Sequence, residues 1–263
     1  MGRVITTTRV GIGVDEAGTG DAVPILFLHG VGSDKSVWAP QLAHFGASRR
    51  AVAFDYPGYG ESDPGAAGTT RDDFAAAMLS AMDALGIDRA HVCGLSLGGV
   101  IAIAMHAQAP DRCVSLIIAD SFAVHPDGGA IYERSIAAAA DMRALAEGRA
   151  DALLAQPADP AVRSEVIETM AKIDPAAFRI GAEAVWLADQ RERAAAIRAP
   201  TLVLCGTEDR VTPPALSREL AYLIPGAQYE PIAGAGHLSN LERPDEFNTL
   251  AGAFLRGVDS RAA

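Results

Sequence analysis

Three residue types that together cleave acyl bonds occur here in suggestive settings. Ser96 lies in Val92-Cys93-Gly94-Leu95-Ser96-Leu97-Gly98-Gly99, a G-x-S-x-G pattern between an apolar run and a helix-forming run. A serine at such a strand-to-helix turn is held on strained backbone with its hydroxyl projecting. Glycines on either side let strand and helix pass close to it. The hydroxyl is a weak nucleophile at neutral pH and needs a base, and the imidazole of histidine titrates in the useful range. Of the six histidines, His237 in Gly234-Ala235-Gly236-His237 sits on a small-residue loop after the last apolar run. His44, His106 and His125 have no strand-end placement, His91 starts a strand and faces the opposite end, and the loop at His29 reads as structural.

A carboxylate must then fix the imidazole tautomer. Asp209, in Gly206-Thr207-Glu208-Asp209, follows an apolar run, and its neighbour Glu208 would point elsewhere. Asp120 is a rival acid, because it ends the strand after the Ser96 helix; its bland role is a hinge residue bonded to backbone. The charge that develops on a carbonyl oxygen needs preorganised donors. The N–H of Leu97, first in its helix and therefore unpaired, and the N–H of Val31, after His29-Gly30, are the candidates. Phe122, Trp186 and Leu238 are expected in the substrate pocket wall, whereas Trp38, Tyr132 and Phe178 read as packing residues. Asp55, Ser62 and Asp63 read as turn-holding groups.

These residues need a frame that presents them together. Continuous apolar runs at 24–28, 50–54, 91–95, 114–119 and 201–205 read as strands buried on both faces. A β-rich ribbon at 3–14 precedes them, and a last strand is expected at 228–232. Helices are predicted over 38–45, 70–85, 97–108, 214–224 and 244–255, with Thr70 and Asp73 as an imperfect capping box and Gly86 as a C-cap. Strands alternating with helices make a mostly parallel sheet covered on both faces, with ligands at the carboxyl ends of the strands. Residues 122–197 break this pattern: they are Ala-rich, helical in period and interrupted at Gly148, Pro157, Pro160 and Pro175. That segment reads as an inserted helical cap, with residues 1–121 and 198–263 forming one α/β core.

The bulk properties narrow the partners. The 263 residues carry a net charge of −11, which disfavours nucleic acid and anionic membranes as partners. No apolar run reaches membrane-spanning length. Cys93, Cys113 and Cys205 lie in apolar runs and read as buried free thiols, which suits a cytoplasmic location. No metal site is expected.

Leu28-His29-Gly30-Val31-Gly32-Ser33, Asp55-Tyr56-Pro57-Gly58-Tyr59-Gly60-Glu61-Ser62, the stretch Leu85 to Gly99, and Gly236-His237-Leu238-Ser239-Asn240-Leu241-Glu242-Arg243-Pro244 resemble the α/β-hydrolase superfamily. Within it they resemble the 3-oxoadipate enol-lactonase-like branch, over about residues 23–121 and 198–256. The order Ser96, Asp209, His237 is the one expected of that fold. The resemblance implies an α/β-hydrolase fold and a cofactor-free hydrolase of a small ester or lactone that passes through an acyl-enzyme. The same three residues would serve a C–C bond hydrolase or a perhydrolase, and a receptor-type binding module is the non-enzymatic alternative. An aspartate in place of Ser96 would be expected of a haloalkane dehalogenase. No carboxylate-binding arginine can be assigned from the Ala-rich segment.

Overall fold

The computed structural model describes residues 2–8 and 10–262; Met1, Arg9 and Ala263 lie outside the described residues. Eight strands form one sheet in the order β1-β2-β4-β3-β5-β6-β7-β8. The ribbon β1 (Arg3–Thr6) and β2 (Gly11–Ala17) is antiparallel, and β2 also runs antiparallel to β4 (Ala51–Phe54). The rest is parallel: β3 (Ile25–Leu28), β5 (Ala90–Leu95), β6 (Cys113–Ala119), β7 (Thr201–Gly206) and β8 (Gln228–Ile232). Every residue of β3, β4, β5 and β7 is buried. That is why these strands read as unbroken apolar runs rather than alternating ones.

Helices α1 (Ala39–Phe45), α2 (Arg71–Ala84), α3 (Leu97–Gln108), α9 (Pro214–Leu223), the short α10 (Ser239–Glu242) and α11 (Pro244–Ala262) accompany the sheet. The Thr70–Asp73 capping box is complete in both directions, and Gly86 takes φ +66 just past the end of α2. Pro110 follows the last turn of α3, as its missing N–H requires. The final helix outruns its expected end at Leu255. Asp259 there bonds Arg49 at 2.7 Å and His91 at 3.0 Å, contacts distant in sequence that no helical period reveals. Between β6 and β7 lie α4 (Gly128–Ala138), α5 (Met142–Leu153), α6 (Pro160–Ala171), α7 (Pro175–Trp186) and α8 (Arg191–Ala196). The bridge Val124↔Asp189 joins the two ends of this helical segment. Asp141, Asp159 and Asp174 cap α5, α6 and α7 by accepting backbone N–H bonds.

All three cysteines are buried and free, as expected. Asp55 accepts bonds from the N–H and Nζ of Lys35 and the N–H of Glu61, Ser62 bonds the Asp55 carbonyl, and Asp63 accepts from Gly11 N–H. These groups hold the loop after β4, as their turn-rich setting implied. His91 is buried at the far end of the sheet, with Nδ1 2.7 Å from the Ser115 hydroxyl. Burial lowers its pKa to about 4, against the pull of Asp259. The unfolded chain therefore takes up this proton first as pH falls. Stability from His91 is present above about pH 6.5 and declines toward pH 4, by about 3 kcal/mol. Urea unfolding of the wild type and His91→Asn across that range should show a shallower acid loss in the variant.

Candidate active site

Ser96 terminates β5 at φ +54 and ψ −113, and among the described residues only Ser96 and Asp120 combine a side chain with positive φ. The strain is held by neighbours. Ser96 N–H bonds the Ala119 carbonyl at 2.9 Å, and its own carbonyl accepts the Ser121 hydroxyl at 2.8 Å. The flanking glycines are required by approach rather than by φ: a Cβ on Gly94 would lie 2.1 Å from the Gly98 carbonyl oxygen, and one on Gly98 would lie 2.0 Å from that of Leu28. Strand β5, helix α3 and strand β3 thus meet with no room for a methyl group.

The loop after β3 comes up beside this turn. A Cβ on Gly30 would stand 3.5 Å from the Ser96 Cβ, so Val31 begins next to the serine. Tyr56 fastens the loop by bonding the His29 carbonyl at 2.9 Å, and His29 Nδ1 lies 2.8 Å from the Gly30 carbonyl. His29 therefore serves its own loop. The N–H groups of Val31 and Leu97 have no hydrogen-bond acceptor among the described residues.

Asp209 and His237 meet from the loops after β7 and β8. His237 Nδ1 lies 2.9 Å from Asp209 Oδ2. Asp209 also accepts the Thr212 hydroxyl at 2.6 Å and the N–H groups of Val211 and Thr212 at 2.8 and 2.9 Å. Burial would push this carboxyl up, but His237 and those donors hold it below its ordinary value. Burial likewise disfavours a charged His237, yet the Asp209 carboxylate and its hydrogen bond outweigh that and raise the imidazole above its ordinary pKa. Glu208 is exposed and turned away from this contact.

Asp120, the rival acid, is buried behind this pair. Its Oδ1 accepts Gly206 N–H at 2.8 Å and its Oδ2 faces the Ser239 hydroxyl at 2.5 Å. Its backbone bond is the expected bland role; its reach into the His237 loop is an addition. Asp120, Cys205 and Asp209 converge closely enough to suggest a metal centre. Their oxygens already receive N–H and O–H donors, however, and Cys205 Sγ lies 3.4 Å from the Gly206 carbonyl.

Ser96, His237 and Val31 line one cavity, with Trp186 and Leu238 in its wall. Phe122, expected in the pocket wall, does not line the cavity but stacks behind Trp186, with centroids 5.9 Å apart and ring planes nearly parallel. It ends in the layer beneath because both rings are large and Trp186 takes the inner position. The opposite wall comes from the helical segment, through Arg149 and Leu153 of α5, and Val166 and Met170 of α6.

Four contributors escape sequence reasoning. Thr212 braces Asp209. Glu242 accepts Gly236 N–H at 2.9 Å and Ala155 N–H at 2.7 Å, tying the His237 loop to the end of α5. Arg210 bonds the carbonyls of Asp151 and Leu154. Arg149 has no hydrogen bond or ion pair among the described residues, and burial lowers its pKa, while its charge is felt at His237. Thr212 and Glu242 lie within three and five residues of expected site residues, which is the one signal available. Arg149 has none, because only packing turns that face of α5 inward.

The sequence model of the alpha/beta hydrolase family matches residues 25–250. A 3-oxoadipate enol-lactonase of Acinetobacter baylyi is 30% identical over 97% of this chain and 97% of its own. A 2-hydroxymuconate semialdehyde hydrolase of a Pseudomonas species is 30% identical over 100% of this chain and 96% of its own. The crystal structure of an enol-lactonase from Burkholderia xenovorans superposes with a TM-score of 0.90, at 30% identity, over 97% of this chain and 100% of that one. No helix of the described residues is long and apolar enough to cross a membrane.

Proposed function

This chain belongs to the alpha/beta hydrolase family, and from that premise we propose that it is a serine hydrolase of small carboxylic esters or lactones. The observation that carries the reading is one cavity bordered by Ser96, His237 and the Val31 loop, with two backbone donors beside the serine that find no acceptor among the described residues. Ser96 Oγ attacks the carbonyl carbon as His237 Nε2 takes its proton. Asp209 keeps the other imidazole proton on Nδ1 and stabilises the imidazolium. The N–H groups of Val31 and Leu97 receive the oxyanion, a role in which one donor is worth roughly 3–4 kcal/mol. The leaving oxygen takes the His237 proton, and the acyl group stays on Ser96. Water then attacks the ester with His237 again as base, releasing the acid. The helices between β6 and β7 act as a cap that closes the cavity over these groups.

Arg149 narrows the substrate. An arginine with no partner among the described residues, in a mainly apolar wall, favours a ligand that brings its own anion. The one carboxylate at the cavity, Glu165, is exposed on α6 and makes no ion pair with it among the described residues. The substrate read from this wall is an ester or lactone bearing a carboxylate, as the name of the enol-lactonase relatives would suggest. A carbon–carbon bond hydrolase on the same three residues is the second reading, favoured by the semialdehyde hydrolase relative. A fluorophosphonate probe should label Ser96 in the folded protein; a failure to label would favour a binding module instead. Arg149→Met should lower the ratio of kcat/KM for a monoester of a dicarboxylic acid to that for a neutral ester of equal length by about 10- to 100-fold, the worth of one charge-assisted contact. An unchanged ratio would remove the carboxylate from the substrate.

A further inference from the structure

Asp120 ends β6 at φ +47, fully buried, in a conformation that a side chain adopts only when its surroundings hold it there. Its N–H continues the sheet by bonding the Leu204 carbonyl at 2.9 Å. Its carboxyl faces two different loops. Oδ1 accepts the N–H of Gly206, whose carbonyl in turn accepts the N–H of Asp209 at 3.2 Å. Oδ2 meets the hydroxyl of Ser239, two residues past His237. We infer that Asp120 is a positioning residue that clamps the Asp209 loop to the His237 loop and so sets the alignment of the acid–base pair. This inference rests on the hydrolase reading above, because it assigns Asp120 a role only through Asp209 and His237.

The distribution of donors decides which carboxyl carries the charge. Ligand atoms of Asp120 and Asp209 lie within 4.8 Å of one another. Two carboxylates that close in a buried site do not both ionise readily. Asp209 receives four donors, from His237, Thr212 Oγ1 and the N–H groups of Val211 and Thr212, whereas Asp120 has Gly206 N–H and the Ser239 hydroxyl. Asp209 is therefore the ionised member, and Asp120 keeps its proton on Oδ2, from which the short contact runs as a donor to Ser239 Oγ. Burial, with Asp209 next, pushes Asp120 up to about 8, in accord with that assignment. The other titratable groups facing it are His237, the Cys205 thiol, which burial holds protonated, and the Tyr229 phenol, raised by burial. A neutral Asp120 braces the pair without adding a second negative charge to it.

The test compares Asp120→Asn, Asp120→Ala and Ser239→Ala on a p-nitrophenyl ester, with melting temperatures as the folding control. Asparagine keeps an acceptor for Gly206 and a donor for Ser239, and should hold kcat within about threefold with the acid limb of kcat/KM in place. Alanine removes both tethers and should lower kcat by 10- to 100-fold, as losses of supporting partners commonly do, with KM little altered and the acid limb displaced toward lower pH. Ser239→Ala cuts one tether at a separate position and should fall between them, which covers the case where Asp120→Ala does not fold. An asparagine variant as damaged as the alanine one, with its acid limb lowered, would make Asp120 a charged partner and overturn the assignment. Full kcat in both Asp120→Ala and Ser239→Ala would overturn it as well. Failure of the underlying reading is separate: it would appear as undiminished activity in Ser96→Ala.

Discussion

Ser96→Ala is expected to lower kcat for p-nitrophenyl acetate by roughly 10⁵- to 10⁶-fold while the protein stays folded. The size follows from what the substitution removes. On the proposed mechanism no acyl-enzyme would form without the hydroxyl, and His237 would have no bound nucleophile to deprotonate. On that mechanism the remaining acceleration would come from the Val31 and Leu97 donors and from substrate binding, and groups that act as a unit lose nearly everything when one is deleted. The fold should tolerate the change. Ser96 is 2% exposed, its strained backbone is fixed by the Ala119 and Ser121 contacts to its own N–H and carbonyl, and neither contact uses Oγ. Substrate should still bind, so KM for slow residual turnover should change far less than kcat. Stopped assays with active-site titration of the wild type would measure this, and a variant retaining the wild-type rate would end the serine-nucleophile reading.

Asp209→Asn should cost about 10⁴-fold in kcat, and it should move the pH profile in a stated direction. The carboxylate now accepts Thr212 Oγ1, two backbone N–H groups and His237 Nδ1, all of them donors. An amide in its place must turn an N–H toward one of these. If it faces His237, the imidazole proton moves to Nε2, and the nitrogen nearest the substrate can no longer accept from serine. Electrostatics changes too. Burial lowers the His237 pKa, and the Asp209 carboxylate overrides it. With the charge gone, burial wins, so the acid limb of kcat/KM should shift to lower pH even as the plateau collapses. A plateau within tenfold of wild type, or a limb moving upward, would show that another group orients the base, and Asp120 would be the first to test.

Much of this frame is legible in the sequence because the sheet is buried on both faces. Strands such as Ile25–Leu28 and Thr201–Gly206 have no solvent side and so spell apolar runs with no alternation. Gly94 and Gly98 are legible for a steric reason: three backbones converge there, so only glycine fits. Asp209 and His237 lie on loops that begin at strand ends, and a parallel sheet brings all its carboxyl ends to one edge. Their direct contact at 2.9 Å is a consequence of strand order, β7 beside β8, which no local pattern states.

What the chain's order of residues determined by itself is therefore the periodic and the local: the strands, the elbow at Ser96, the capped helices, and which residue types stand at the sheet edge. Tertiary structure alone decided the rest. Phe122 and Trp186 are both large aromatics near the same hinge, and only packing puts Trp186 in the cavity wall with Phe122 stacked behind it. Arg149 is one of several arginines in an Ala-rich helical stretch, and only the rotation of α5, pinned through Arg210, Glu242 and the bond from His237 N–H to the Leu153 carbonyl, turns it toward the cavity. Asp120 and Ser239 are 119 positions apart and bond because β6 and β8, which flank β7, deliver their following loops to the same sheet edge. Periodicity records which face of an element is buried; it carries no record of which distant side chain that face will meet.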